Sequence, residues 1–273
     1  MKIKISTAVV YIILIMFSII TLFPFIYMIL AGLMTHREMA SMPPTLIPAH
    51  FQFTNYVQVF KQVPFLQYFI NTLVVSLATT FATLVTCTLA AFALTSLEFK
   101  FKKVIFALLI GLLMVPYESI IFTNYNTILQ LGIKNTYAAL IIPFLTSIFY
   151  IYFLNNYMAA IPDSLYKAAK VDGASDLEYI RRILVPMISP ALVTVGILSF
   201  IMSWNSFLWP LLVTDTDTMR LLNNGLASFA TEAGAQTQLQ MAAATLTVVP
   251  VLVLYFIFRK QIIRGVARNG IKG

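Results

Sequence analysis

Charged side chains are scarce in this 273-residue chain: Asp, Glu, Lys and Arg make up 10% of it, against roughly 25% in soluble domains. A single cysteine, Cys87, excludes a disulfide framework and a thiolate metal centre. The two histidines, His36 and His50, stand apart from each other and from Cys87, so no metal site is expected. No glycine is followed directly by lysine, which excludes a Walker A loop and with it an ATP site of the chain's own. Paired acids or ligand clusters within the apolar runs are also missing. An intramembrane enzyme would need them, and no catalytic residue is assigned.

What is present is apolar bulk. Hydrophobic residues make up 60% of the chain, 22 of them Phe, and mean hydropathy is +0.87. Runs long enough to cross roughly 30 Å of hydrocarbon recur, which defines a multi-span membrane protein. Six spans are expected: Ser6–Leu33, Phe69–Leu97, Val104–Phe122 (broken by Pro116 and Glu118), Tyr137–Leu154, Met187–Val213 and Met241–Phe258. The first run is too long for a signal-peptide core and lacks a small-residue cleavage site, so it is read as a span.

Net charge of +8 then describes topology rather than nucleic-acid binding. If both termini, the 98–103 loop and the 161–186 loop share one side, that side holds fourteen of the eighteen cations. The acids divide evenly and do not create the bias. Lys and Arg accumulate on the cytoplasmic side, which predicts cytoplasmic termini and a cytoplasmic 161–186 loop. The opposite loops carry three prolines in SMPPTLIPAHF and the aromatics Tyr56, Phe60, Phe65 and Tyr68, as interfacial segments do.

One stretch reads as soluble. YKAAKVDGASDLEYIRRILVP, Tyr166–Pro186, places seven charges among otherwise apolar surroundings. Pro162 and Asp163 suit a helix start. Leu165, Ala168, Ala169 and Asp172 share a face at i, i+3, i+4 and i+7, and the two alanines leave that face flat enough for a close approach. Gly173 supplies a left-handed stop. Ser175 and Glu178 have capping-box spacing for a second helix, with Leu177, Ile180 and Leu184 on one side and Pro186 at its end. The expected unit is a helix–turn–helix at the membrane surface, which a simple connector between spans would not require.

These residues resemble the EAA loop of ABC importer permeases: Ala168-Ala169, three residues, Gly173, nine residues, Ile183, and Pro186 closing. Lys167 stands in place of the glutamate, Tyr166 just before it is not acidic, and Val185 stands in place of the leucine. SWNSFLWP (Ser203–Pro210), the ending RGVARNGIKG, NTY at Asn135–Tyr137 and PP-x-LIP at Pro43–Pro48 are also similar to the maltose-type permeases, specifically the second permease of the pair.

The resemblance implies an all-α membrane protein of the type I importer permease fold: one permease domain over 1–273, a coupling loop at about 161–186 and a cytoplasmic tail at about 259–273. It implies the bacterial cytoplasmic membrane, a homologous permease as heterodimer partner, two ATPase subunits holding ATP and Mg, and an extracytoplasmic solute-binding protein delivering a sugar. No cofactor belongs to this chain. Lys167, Ala168, Ala169, Asp172, Gly173, Ile183 and Pro186 would meet the ATPase, as would the tail at Gly265, Gly270, Lys272 and Gly273. The tail's cations would equally serve as a lipid anchor. Polar residues inside spans are costly unless they face a cavity or a partner, so Asn71, Glu118, Trp204, Asn205 and Trp209 are substrate-path candidates; anchoring or helix packing is the alternative for each. A sugar phosphate or another polar solute would suit the same permease. An ion-driven secondary transporter would need buried carboxylates, and only Glu118 comes near that.

Overall fold

Pro116, Ile188 and the Asn205–Phe207 stretch mark where long apolar runs break into shorter helices. The computed structural model describes residues 5–230 and 236–270, and no strand occurs among them. Among the described residues three helices are long and apolar enough to cross a bilayer singly: Val9–Ala31, Phe65–Ser96 and Thr237–Arg259. Three further bent pairs complete as many as six passes.

The first, second and sixth expected spans coincide with helices Ile5–Ala31, Phe65–Ser96 and Thr237–Gly270, though the last runs well past Phe258. The third differs. Lys102–Leu112 and Tyr117–Gln130 meet at 100°, so the second half leaves the direction of the first and continues eight residues beyond Phe122. Proline's ring bars helical geometry at Val115, and extended Pro116 starts the next helix. In the fourth, Tyr137–Phe144 and Ile148–Met158 meet at 44°. The fifth begins after an 84° turn at Ile188. It is interrupted after Trp204 and resumes as Leu208–Val213.

A broken helix inside hydrocarbon must have its freed carbonyls satisfied by protein. One face of Phe65–Ser96 does this for the fourth pass. Thr83 Oγ1 donates to Phe144 O (3.0 Å) and Thr86 Oγ1 to Leu145 O (2.6 Å). Buried Cys87 accepts from Ser147 N at 3.4 Å. Farther along, Asn155 Nδ2 donates to Thr95 Oγ1 at 2.9 Å. The lone cysteine is thus a packing and capping residue.

The chain divides into two compact units. One contains Met1–Gln67 and Leu222–Leu252. In it Gly32 is required by close approach: a Cβ there would lie 3.0 Å from the Ala242 backbone. Buried Asn55 ties the turn after the first helix through Gly32 O and Met34 O. Glu38 closes a capping box with Thr35 and accepts from Ala49 N (2.8 Å), which fixes the proline-rich loop. These bonds hold the Glu38 carboxyl below its ordinary value, the Thr35 backbone N–H foremost. The other unit contains Tyr68–Leu221 and Val253–Gly273 and carries both candidate sites. Its larger core joins Cys87, Ala91 and Phe92 to Leu154, Met158, Ile188, Ala191 and Val195.

Side chains along the first helix, such as Ile12, Phe17 and Ile20, are exposed. A surface of that kind is stable only in hydrocarbon or against another apolar chain.

Candidate functional site

The hairpin forms as its local signals dictate. Asp163–Val171 is a helix behind extended Pro162, with Asp163 in the first turn and Lys170 in the last, the signs its dipole favours. Gly173 has φ +81°. Gly173 N donates to Lys170 O and Ala174 N to Ala169 O, the paired bonds of a Schellman stop. The Ser175–Glu178 box is closed in both directions and opens Asp176–Tyr179. A π turn over Ile180–Leu184 follows.

Three details depart from the sequence expectation. Pro186 lies within a further turn, Val185–Met187, and the chain redirects two residues later at Ile188. Proline is tolerated in the opening positions of a helical turn, where its missing N–H is not needed. Leu177 is exposed, and Tyr179 takes the inward place with Ile180 and Leu184. The adjacent alanines are also split. Ala169 is 6% exposed and packs into the unit's core, whereas Ala168 faces out with Lys167 and Val171.

Aromatic packing seats the hairpin. Tyr166 and Tyr179 rings meet edge-on at 5.0 Å, and each approaches Phe92 of the long Phe65–Ser96 helix, at 5.7 and 6.1 Å. A polar bridge crosses the turn. Tyr166 Oη donates to Asp176 Oδ1 at 2.8 Å, Lys170 Nζ pairs with the same oxygen, and Lys170 lies 5.5 Å from the Tyr166 ring centre. The Lys170 bond, then the Tyr166 bond, holds the Asp176 carboxyl below its usual range. Burial, then Asp176, raises the Tyr166 phenol. Lys167, Asp172 and Pro186 are exposed, and Ile183 is half-buried against the core. Tyr166, Asp176, Tyr179 and Phe92 were not singled out as site residues. Their only sequence signal is a hydroxyl and a carboxylate flanking Gly173.

The substrate-path candidates separate. Glu118, Asn205 and Trp209 line a cavity of about 510 Å³ in the same unit, together with Thr79, Tyr117 and Phe144. Asn71 and Trp204 do not line it. Asn71 is fully buried; its Nδ2 donates to Thr218 O (2.8 Å) and Arg220 O (2.9 Å), and its Oδ1 accepts from Tyr137 Oη (2.6 Å). Trp204 is 1% exposed and stacked on Phe200. Both act as packing residues within the unit.

NTY is accounted for by the same region. Asn135, at φ +61°, accepts from Asp215 N and Thr216 N. Thr136 caps Tyr137–Ile141, and Tyr137 holds Asn71. Of the tail residues, Gly265 and Gly270 fall in the helical continuation Thr237–Gly270; Lys272 and Gly273 lie outside the described residues.

Residues 86–268 match the model of the family described as binding-protein-dependent transport system inner membrane component. The chain belongs to that family. Its matched region begins inside the long helix and takes in the whole hairpin and most of the cavity lining.

Relatives of this transport component extend over nearly its whole length. It is 29% identical over 259 residues to an arabinooligosaccharides transport system permease of Halalkalibacterium halodurans, covering 94% of this chain and 93% of the relative. A trehalose/maltose transport system permease of Thermococcus litoralis is 31% identical, with 95% and 94% covered. An inner membrane ABC transporter permease of Escherichia coli is 32% identical, with 94% of each covered. In fold, the transport component matches a chain of a bacterial ABC transporter involved in import of the acidic polysaccharide alginate. That match has a TM-score of 0.81, at 21% identity, and covers 94% of this chain and 96% of the other.

Proposed function

We propose that this transport component is one of two non-identical transmembrane subunits of an importer for a sugar or oligosaccharide, and that the Asp163–Met187 hairpin is its contact with a separate ATPase. The hairpin carries the proposal. It is the most charged stretch of an apolar chain, and its central turn is fixed by a Schellman stop before Gly173 and a capping box after it. One face, through Ala169 and Tyr179, is anchored in the core; the other, through Lys167, Ala168, Val171 and Leu177, is left uncovered. A rigid element with one free face suits the transfer of motion from a second protein.

The remaining assignments follow. The excess of cations beside the hairpin supports a cytoplasmic location for it and for both termini. ATP and Mg belong to the ATPase pair, and this chain binds neither. Closure of the ATPases on ATP moves the hairpin, and the Tyr166–Tyr179–Phe92 cluster passes that movement to the Phe65–Ser96 helix. The two permeases then alternate between faces of the membrane while an extracytoplasmic binding protein delivers solute. Two of the relatives carry names of oligosaccharide and disaccharide systems, which supports sugar as the cargo. A permease of Yersinia pestis named for sn-glycerol-3-phosphate, 28% identical over 263 residues, supports a sugar-phosphate cargo as the second reading.

The test is reconstitution. The chain co-expressed with its partner permease, ATPase and binding protein should accumulate solute in liposomes only with ATP. Transport by the chain alone without ATP would overturn the reading.

A further inference from the structure

The cavity contains two hydroxyls that the fold leaves unused. Asn71, Val75, Thr79 and Thr83 recur every four residues on one face of the Phe65–Ser96 helix. Asn71 and Thr83 have protein partners. Thr79 is 4% exposed, and its Oγ1 has no hydrogen-bond partner. Across the lining, the Tyr117 hydroxyl is likewise buried and unpaired. A buried hydroxyl with no partner destabilises the protein that holds it, and its presence calls for an explanation.

The rest of the lining narrows what supplies the missing partners. Trp209 has its N–H committed to Ala139 O at 3.0 Å, so its indole contributes apolar surface. Phe144 stands edge-on to that ring, 6.1 Å between centres. Of the described lining residues, Glu118 alone has a carboxylate, and none is Lys, Arg or His. Aromatic surface with hydroxyls and an amide, Asn205, suits a polyhydroxylated ring. A site for phosphate, sulfonate or uronate would need cationic donors, and this lining has none.

We propose that this cavity is a solute subsite, that Thr79 and Tyr117 hydrogen-bond the hydroxyls of an uncharged sugar there, and that the Glu118 side disfavours acidic solutes. The inference rests on the importer reading and selects, within it, neutral sugars over sugar phosphates.

Thr79→Val and Tyr117→Phe test it, because each removes a hydroxyl with little change of shape. The complete importer, solubilised without its binding protein, is titrated with three probes: maltotriose, arabinotriose and trigalacturonate. A neutral trisaccharide should bind better than trigalacturonate. Each substitution should weaken the neutral probe by about tenfold, the loss of a hydrogen bond to a desolvated hydroxyl. The empty complex should melt at the same or a higher temperature, since an unpaired buried hydroxyl has been removed. A merely structural role would instead lower the melting temperature. Thr80→Val, also buried and unpaired but outside the lining, should leave binding unchanged. Glu118→Lys should raise trigalacturonate binding relative to the neutral probes. Equal or tighter wild-type binding of trigalacturonate, or no loss in either hydroxyl variant, overturns the subsite. Failure of the importer reading is distinguishable, because the complex reconstituted in liposomes with its ATPase and binding protein would then show no ATP-dependent accumulation of solute.

Discussion

Tyr166 Oη lies 2.8 Å from Asp176 Oδ1, joining the two helices of the hairpin across the Gly173 turn. Lys170 shares that carboxylate. In the motif the chain resembles, an acid is expected next to Ala168; here a lysine stands there, outward and with no ion pair among the described residues. The polar bridge inside the hairpin fixes the angle between its helices without help from Lys167.

Tyr166→Phe and Asp176→Ala each remove the hydrogen bond between the two residues. A hydrogen bond of this kind contributes on the order of 1 kcal/mol, so each variant should assemble normally and lose about fivefold in ATP-driven uptake. The double variant should be little worse than either single one. Additive losses in a double-mutant cycle would show that the two residues act separately.

Gly173 should respond to backbone preference rather than to size. A Cβ there meets nothing within 4 Å, so the cost is the left-handed conformation, roughly 1–2 kcal/mol for ordinary residues and less for Asn. Uptake should fall in the order Asn, Ala, Val, with the complex still isolable. If Asn is as damaging as Val, surface contact and not φ governs the site.

Ala168 and Ala169 should give opposite phenotypes. Ala169→Leu forces volume into a packed core and should cost about 1–3 kcal/mol of stability, read as a lower melting temperature in detergent. Ala168→Leu should leave melting unchanged and reduce the binding of purified ATPase. Matching effects at the two positions would contradict the split seen between them.

Asn71→Ala should be among the most damaging single changes. It leaves the Thr218 and Arg220 carbonyls and the Tyr137 hydroxyl without their partner. Each orphaned group carries a penalty of about 1–3 kcal/mol, so the yield of folded protein should collapse. Asn71→Gln, which keeps the amide but shifts it, should recover part of that yield.

The hairpin should be strongest near neutral pH. Asp176 and Glu178 have lowered carboxyl values, Asp176 chiefly through Lys170 and Glu178 chiefly through the Ser175 N–H. A lowered carboxyl stabilises above its unfolded-state value and loses that contribution as pH falls through the folded one. Lys170 is raised, chiefly by Asp176, and its contribution is lost only as pH rises through its higher folded value. The gap in melting temperature between wild type and Asp176→Asn should be widest at neutral pH and close below the carboxylate range.

Much of the hairpin was legible in sequence because its signals are local. Pro162, Gly173, Ser175 and Glu178 act on backbone groups within a few residues, and they do so in the structure. The face assignment failed at Leu177 and at the alanine pair, because helical periodicity identifies a face without telling which surroundings it meets. Asn71 and Trp204 illustrate the same limit. A polar or aromatic residue within a span signals that something partners it, and here the partners are protein groups such as the Arg220 carbonyl and the Phe200 ring.

Composition and run length by themselves determined that this is a multi-pass, all-helical membrane protein, since transfer into hydrocarbon depends on side-chain chemistry summed along the chain. Cap and turn chemistry determined the hairpin for the same reason of locality. Only the tertiary structure decided that Ala169 points inward, that Cys87 and Thr83 satisfy a broken helix sixty residues away, and that Thr79 and Tyr117 face one cavity with their hydroxyls free. Those facts depend on which distant backbone groups are left unpaired when helices bend, and no periodicity along the chain encodes that.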